Sequence, residues 1–290
     1  LVSTMTTIYY DRVIIIQSLA SGKTGKLLFD DLNLLTMYTG DLVKAEINDV
    51  NSTNEFFDIL TTIATETQIS HSLPLIHLEA HGTENGLELS SGEQIPWEEI
   101  KPYFISINDA SRMNLMISVS ACHGGRLTEV VLPTDRAPCR AIIAPKSEMS
   151  SDELLRDFTA YYEEMFKTRN SDKAVARLNR GLTGNAAPYV FIIAETYFQV
   201  GWSRYIKEQC TDAALNRRAN NIIRQLRQKK TEPLPSRNEI KQAMISNQPR
   251  DFENTAAYFF MYDKYPEIKK RISVSYEEMM ESIRAARGCL

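Results

Sequence analysis

The chain has 290 residues, 43% of them hydrophobic and 24% charged, with a formal net charge of −4. That is ordinary globular composition, and it excludes collagen-like, low-complexity and strongly basic nucleic-acid-binding classes. The four cysteines, Cys122, Cys139, Cys210 and Cys289, are widely and irregularly spaced. They form neither a CxxC zinc signature nor a disulfide framework, which predicts a reducing, cytoplasmic setting. No apolar run reaches membrane-spanning length.

In chain order, the first two-thirds alternates between strand and helix patterns. Residues 11–17, DRVIIIQ, read as a buried strand, because a short β-branched run suits a sheet covered on both faces. A loop, SLASGKTG, precedes a helical KLLFDDLNLL, and a second strand covers 42–48. Ser52 and Glu55 have capping-box spacing at the start of a helix through FFDILTTIA. Residues 73–80 form the third strand, and GLELSSGEQIPW reads as a small hairpin around Ser90-Ser91-Gly92. A short helix, WEEIKPYF, leads to the fourth strand at 114–121, and the fifth follows at 139–145. Ser151, Asp152 and Glu153 open a helix to about Lys167, with acids at its positive end. A further helix covers DKAVARLNR, and 189–195 is the sixth strand.

This alternation predicts an α/β fold: a mainly parallel six-stranded sheet with helices on both faces. Beyond Tyr197 no strand pattern remains. Pro233 and Pro235 interrupt a helical stretch, and Ser236/Glu239 and Ser275/Glu278 repeat the capping-box spacing. The expected organisation is a sheet domain over residues 5–200 and a helical extension over 201–290.

Two strand ends carry the chemistry. LPLIHLEAHG ends at His81-Gly82, and NLMISVSACHGG places Cys122 at a strand end before Gly124-Gly125. In open α/β sheets, ligands bind beyond the carboxyl ends of the strands. Period-two alternation puts His77, Glu79 and His81 on one face of their strand, and Ser118, Ser120 and Cys122 on one face of theirs. A thiolate attacking a carbonyl carbon needs an imidazole to manage the proton and backbone N–H groups to hold the oxyanion. Glycine beside each residue permits close backbone approach. Taken singly, a strand-end histidine or a lone cysteine is more often a packing residue; the matched pair points to a cysteine hydrolase.

The motifs His81-Gly82 and Ala121-Cys122-His123-Gly124-Gly125 resemble those of the caspase-like cysteine peptidases, in which His-Gly ends the third strand and the cysteine ends the fourth. The separation of 41 residues is compatible with the roughly 50 of caspases. AIIAPKSEMSSDELLRDFTAYYEEMF is similar to the fifth strand, loop and helix of the CHAT group, and the likeness spans about residues 8–205. The resemblance implies His81 as general acid/base and Cys122 as nucleophile, with the N–H groups of Gly82 and Cys122 as the oxyanion hole. It implies no cofactor and a protein substrate. CHAT proteases similar to this chain occur in bacterial defence systems, and some cut gasdermin-like pore formers. Caspases carry glutamine, and metacaspases aspartate, two residues before the cysteine, where this chain has Ser120. Ser120 and Ser118 are the expected substrate-pocket residues, with walls from SLASGKTGK and from Lys146 to Asp152. Glu148 or Asp152, if turned inward, would favour a basic substrate residue. The linker after Cys122 contains Asp135, a point where caspase-like chains are cut, although CHAT relatives often act uncut. A non-catalytic caspase-like module is the alternative.

Other signals are weaker. SGKTGK fails the P-loop pattern because Gln17 stands where its first glycine is needed. His77 and His81 lie about 13 Å apart along a strand, too far to share a metal ion. The basic stretch 217–230 reads as a solvated helix face, not a nucleic-acid footprint.

Overall fold

The computed structural model describes residues 8–39, 43–230 and 232–288. They form two compact units. One comprises the residues up to Val131 together with Ala137–Ala194; the other comprises Leu132–Arg136 together with the residues from Glu195 onward. The division falls a few residues before the expected one at 200/201, and the short segment 132–136 belongs with the second unit, which nothing in its sequence suggests.

The first unit is a mixed α/β fold consistent with a caspase-like architecture. Its main strands are β1 (Arg12–Ser18), β2 (Lys44–Asp49), β3 (Pro74–Gly82), β6 (Met116–Ser120), β7 (Ala141–Pro145) and β8 (Tyr189–Ile193), in the order β2-β1-β3-β6-β7-β8. All neighbouring pairs are parallel except β7–β8, which is antiparallel. A hairpin of β4 (Gly86–Glu88) and β5 (Gln94–Pro96) pairs with the end of β3. The predicted hairpin thus extends the predicted six-stranded sheet from the strand that carries His81. Leu42, expected in the second strand, lies outside the described residues.

Alternation divides the strands between two cores. Val13, Ile15, Leu75, Met116, Ala141 and Ile143 join one cluster with Leu28 and Leu32 of α1 (Thr24–Thr39) and with Leu154, Phe158, Tyr161, Tyr162 and Met165 of α4 (Ser151–Thr168). Their neighbours Ile14, Ile16, Ile76, Leu78, Ile117 and Val119 are buried on the opposite face. There, α2 (Thr53–Ser70) and α3 (Trp97–Ala110) pack together and bury Phe56, Leu60, Ile63, Ile100, Phe104 and Ile107. Side chains that are apolar on both faces leave such strands no stable place outside a two-sided layer.

The caps differ from the sequence reading in detail. Ser52 Oγ accepts from the Glu55 N–H, but the Glu55 carboxylate accepts from Asn51 N–H rather than closing the box. Helix α4 opens at Ser151 as expected, and the preceding Ser150 caps it, forming the reciprocal box with Glu153. Helix α5 (Ser171–Leu178) follows α4.

The second unit is helical: α6 (Ala194–Gln209), α7 (Asp212–Gln228), α8 (Arg237–Ser246), α9 (Gln248–Phe259) and α10 (Tyr276–Gly288). The stretch 202–230, readable as one helix or two, divides at Thr211, whose hydroxyl caps α7. Phe198, Trp202, Phe252, Phe259 and Phe260 form an aromatic core with ring centroids 4.9–6.3 Å apart. Arg136 forks onto Asp263 at 2.9 and 2.7 Å and lies over the Tyr258 ring. That guanidinium holds the Asp263 carboxyl below the ordinary aspartate range, and it fixes the segment next to Asp135 within this unit. On α7, Ala214, Leu215 and Ala219 are buried, whereas Arg217, Arg224 and Arg227, with Lys229 and Lys230 just beyond the helix, are exposed, as expected of a solvated basic face. Among the described residues, no helix is long and apolar enough to cross a membrane.

Candidate active site

β3 and β6 are adjacent and parallel, with Leu75 opposite Met116, His77 opposite Ser118, and Glu79 opposite Ser120. Two residues beyond the last pair come His81 and Cys122. The strand order therefore brings these residues to one level at the carboxyl end of the sheet. The closest approach is at glycine: a Cβ built on Gly82 would lie 1.7 Å from the Cys122 carbonyl oxygen and 2.9 Å from its nitrogen. The two peptide segments are so close that a side chain at residue 82 has no room. Gly124 is similarly constrained, since its Cβ would come within 2.5 Å of Val119.

The His81 side chain is exposed, and Cys122 is half-buried. The Cys122 Sγ is directed at the Met149 carbonyl, 3.7 Å away. That carbonyl belongs to the loop preceding α4, one of the predicted pocket walls. A thiol can donate to this carbonyl; a thiolate would be repelled by it. Cys122 must turn toward His81, or the Met149 carbonyl must withdraw, before the sulfur carries charge next to the imidazole.

Beneath this level, the same face holds a buried polar chain. His77 is fully buried, with Nδ1 3.1 Å from the Tyr162 hydroxyl and Nε2 2.9 Å from Glu79 Oε2. The other Glu79 oxygen accepts from the Thr24 hydroxyl at the start of α1. Burial pushes the Tyr162 phenol up, so a neutral hydroxyl faces Nδ1. On its other side Nε2 faces a carboxylate oxygen, an acceptor for a ring N–H. His77 is thus a satisfied core histidine, as its sequence position suggests. Tyr162→Phe is expected to cost about 1–3 kcal/mol, because it leaves Nδ1 buried without its hydrogen-bond partner. A chemical-denaturation midpoint unchanged from the parent chain would contradict this.

Ser118 and Ser120 are 0% and 2% exposed, and they share the face of Cys122. Glu148 is 84% exposed at its side chain and lies 3.7 Å from His123 Nε2. Asp152 is exposed in the first turn of α4. Neither acid turns inward, so the conditional route from these residues to a basic pocket is not taken in this conformation. Thr24 and the Met149 carbonyl fall within the two loops expected to supply pocket walls, but Glu79 and Tyr162 are absent from the expected site residues. Of these two, Glu79 had a signal, as the residue between His77 and His81 in the period-two series. A surface cleft of about 460 Å³ between α5 and β8, lined by Lys146, Asp172, Tyr189 and Phe191, contains neither His81 nor Cys122. Among the described residues, no group of three or more His, Cys, Asp or Glu side chains is placed to hold a metal ion.

The remaining cysteines differ from Cys122 in access. Cys139 is 3% exposed, and burial pushes its thiol up to about 12; Cys210 is also raised by burial. Cys289 lies outside the described residues. Alkylation requires the thiolate, so iodoacetamide at pH 8 is expected to modify Cys122 well before Cys139 in the folded chain. Peptide mapping that found Cys139 modified first would contradict the burial order.

No protein-family model matches the chain, and no curated protein matches it significantly.

Proposed function

We propose that the chain is a caspase-like cysteine endopeptidase of the CHAT type that cuts a protein substrate with a Cys122–His81 dyad. The observation that carries this reading is the meeting of the two strand ends: adjacent parallel strands in register, with Gly82 packed against the peptide of Cys122. The strand order, with a final antiparallel strand, supports it.

The chemistry follows from the residues present. His81 takes the Cys122 proton, and the thiolate attacks the scissile carbonyl carbon. The oxygen gains the electron pair and is held by the N–H groups of Gly82 and Cys122. His81 then protonates the departing amine as the carbon–nitrogen bond breaks, leaving a thioester on Cys122. Water, deprotonated by His81, hydrolyses the thioester and restores the thiol. No cofactor enters any step. A gasdermin-like pore former is the substrate suggested by the resemblance, and a bacterial-defence role in the cytoplasm goes with it.

The Cys122–Met149 contact favours one second reading, a caspase-like binding module in which the thiol is held idle. A proteome-derived peptide library separates the two. New peptide termini detected by mass spectrometry with the parent chain and absent with Cys122→Ala support the peptidase. Identical termini with both chains exclude it.

A further inference from the structure

Glu79 is a nearly buried carboxylate, 4% exposed, on the face of the sheet that ends in His81. Its two oxygens accept from His77 and Thr24, and no lysine or arginine is paired with it among the described residues. Buried charge is costly unless paired. Directly opposite Glu79 on the neighbouring strand is Ser120, 2% exposed, whose hydroxyl has no hydrogen-bond partner among the described residues. A buried carboxyl group without a lysine or arginine and a buried hydroxyl without a hydrogen-bond partner among the described residues therefore lie side by side, one alternation below the proposed dyad.

We propose that Glu79 and Ser120 form the floor of the pocket for the side chain preceding the scissile bond, and that this pocket takes arginine or lysine. The inference rests on the peptidase reading above. Depth supports the choice. Two residues of strand separate the level of Cys122 from that of Glu79, about 7 Å at strand rise. A Lys or Arg stem spans that distance with its apolar methylenes against the strands and its charged head at the floor. Aspartate is too short to reach the floor, and there it would meet a like charge. Leucine would leave both floor groups unanswered. The remaining lone pairs of Glu79 and the free Ser120 hydroxyl would accept from the incoming cation. The acid is supplied by the histidine strand, which compensates for the absence of one at residue 120.

The test uses the full chain and three peptidyl acyloxymethyl ketones with one common backbone and arginine, leucine or aspartate in the position preceding the warhead. Labelling of Cys122 is followed by intact mass. The arginine probe is expected to react about 10–100-fold faster than the leucine probe, the range of a hydrogen-bonded charge, and Glu79→Gln should bring the two rates close together. A leucine or aspartate probe that matches or outpaces arginine overturns the basic pocket and leaves the peptidase reading standing. If none of the probes labels Cys122 although iodoacetamide does, the peptidase reading fails and the pocket with it. Should Glu79→Gln not fold, the comparison on the parent chain decides alone.

Discussion

Cys122→Ala is expected to lower substrate cleavage by about a thousandfold or more, because no other group in the site can form the acyl intermediate. The fold should remain. Cys122 is half-buried and holds one weak contact to the Met149 carbonyl, so losing its sulfur opens no enclosed cavity. His81→Ala should cost about 10²–10⁴-fold, the usual contribution of a positioned acid/base group, and its exposed ring makes the substitution structurally mild. Because the two residues act as a unit, the double variant should be little worse than the poorer single one. Cleavage rates and thermal melts on the three variants decide the matter. Near-parental cleavage by either single variant would remove that residue from the dyad.

Gly82→Ala should be almost as damaging, by another route. The added methyl would sit 1.7 Å from the Cys122 carbonyl oxygen and 2.7 Å from its carbon. Backbone atoms cannot step aside as a side-chain tip can, so the ends of β3 and β6 must separate. Misplacing reacting groups by about 1 Å costs on the order of 10²-fold in rate, and overpacking costs about 1–3 kcal/mol in stability. Gly125→Ala is the control: its methyl would be 3.5 Å from the Pro145 carbonyl, in ordinary contact. A Gly82→Ala chain with parental melting temperature and rate would mean that the two segments are not held at this distance.

How much could be read from residues alone varies along the chain. The strands VIII, AII and VFII were legible because continuous β-branched runs fit only a layer covered on both sides. The break at Thr211 was not, since α6 and α7 share helix-forming composition and only the Thr211 cap separates them. The membership of 132–136 in the second unit was equally hidden, because it depends on Arg136 finding Asp263, 127 residues later. At the site, His81 and Cys122 stood out by their strand-end glycines. Glu148 and Asp152 were chosen for charge near the expected loop, yet their exposure shows that charge in sequence does not say which way a loop side chain turns.

By itself, then, the sequence determined the class of fold, the alternation of faces and the pairing of one histidine with one cysteine at strand ends, because periodicity and glycine placement are local properties of the chain. The tertiary structure alone decided which strands are neighbours, that the Cys122 thiol rests on the Met149 carbonyl, and that Tyr162, His77, Glu79 and Thr24 form one buried chain. Those contacts join residues up to 85 positions apart, and a hydrogen bond across such a separation exists only once the sheet and its covering helices have packed.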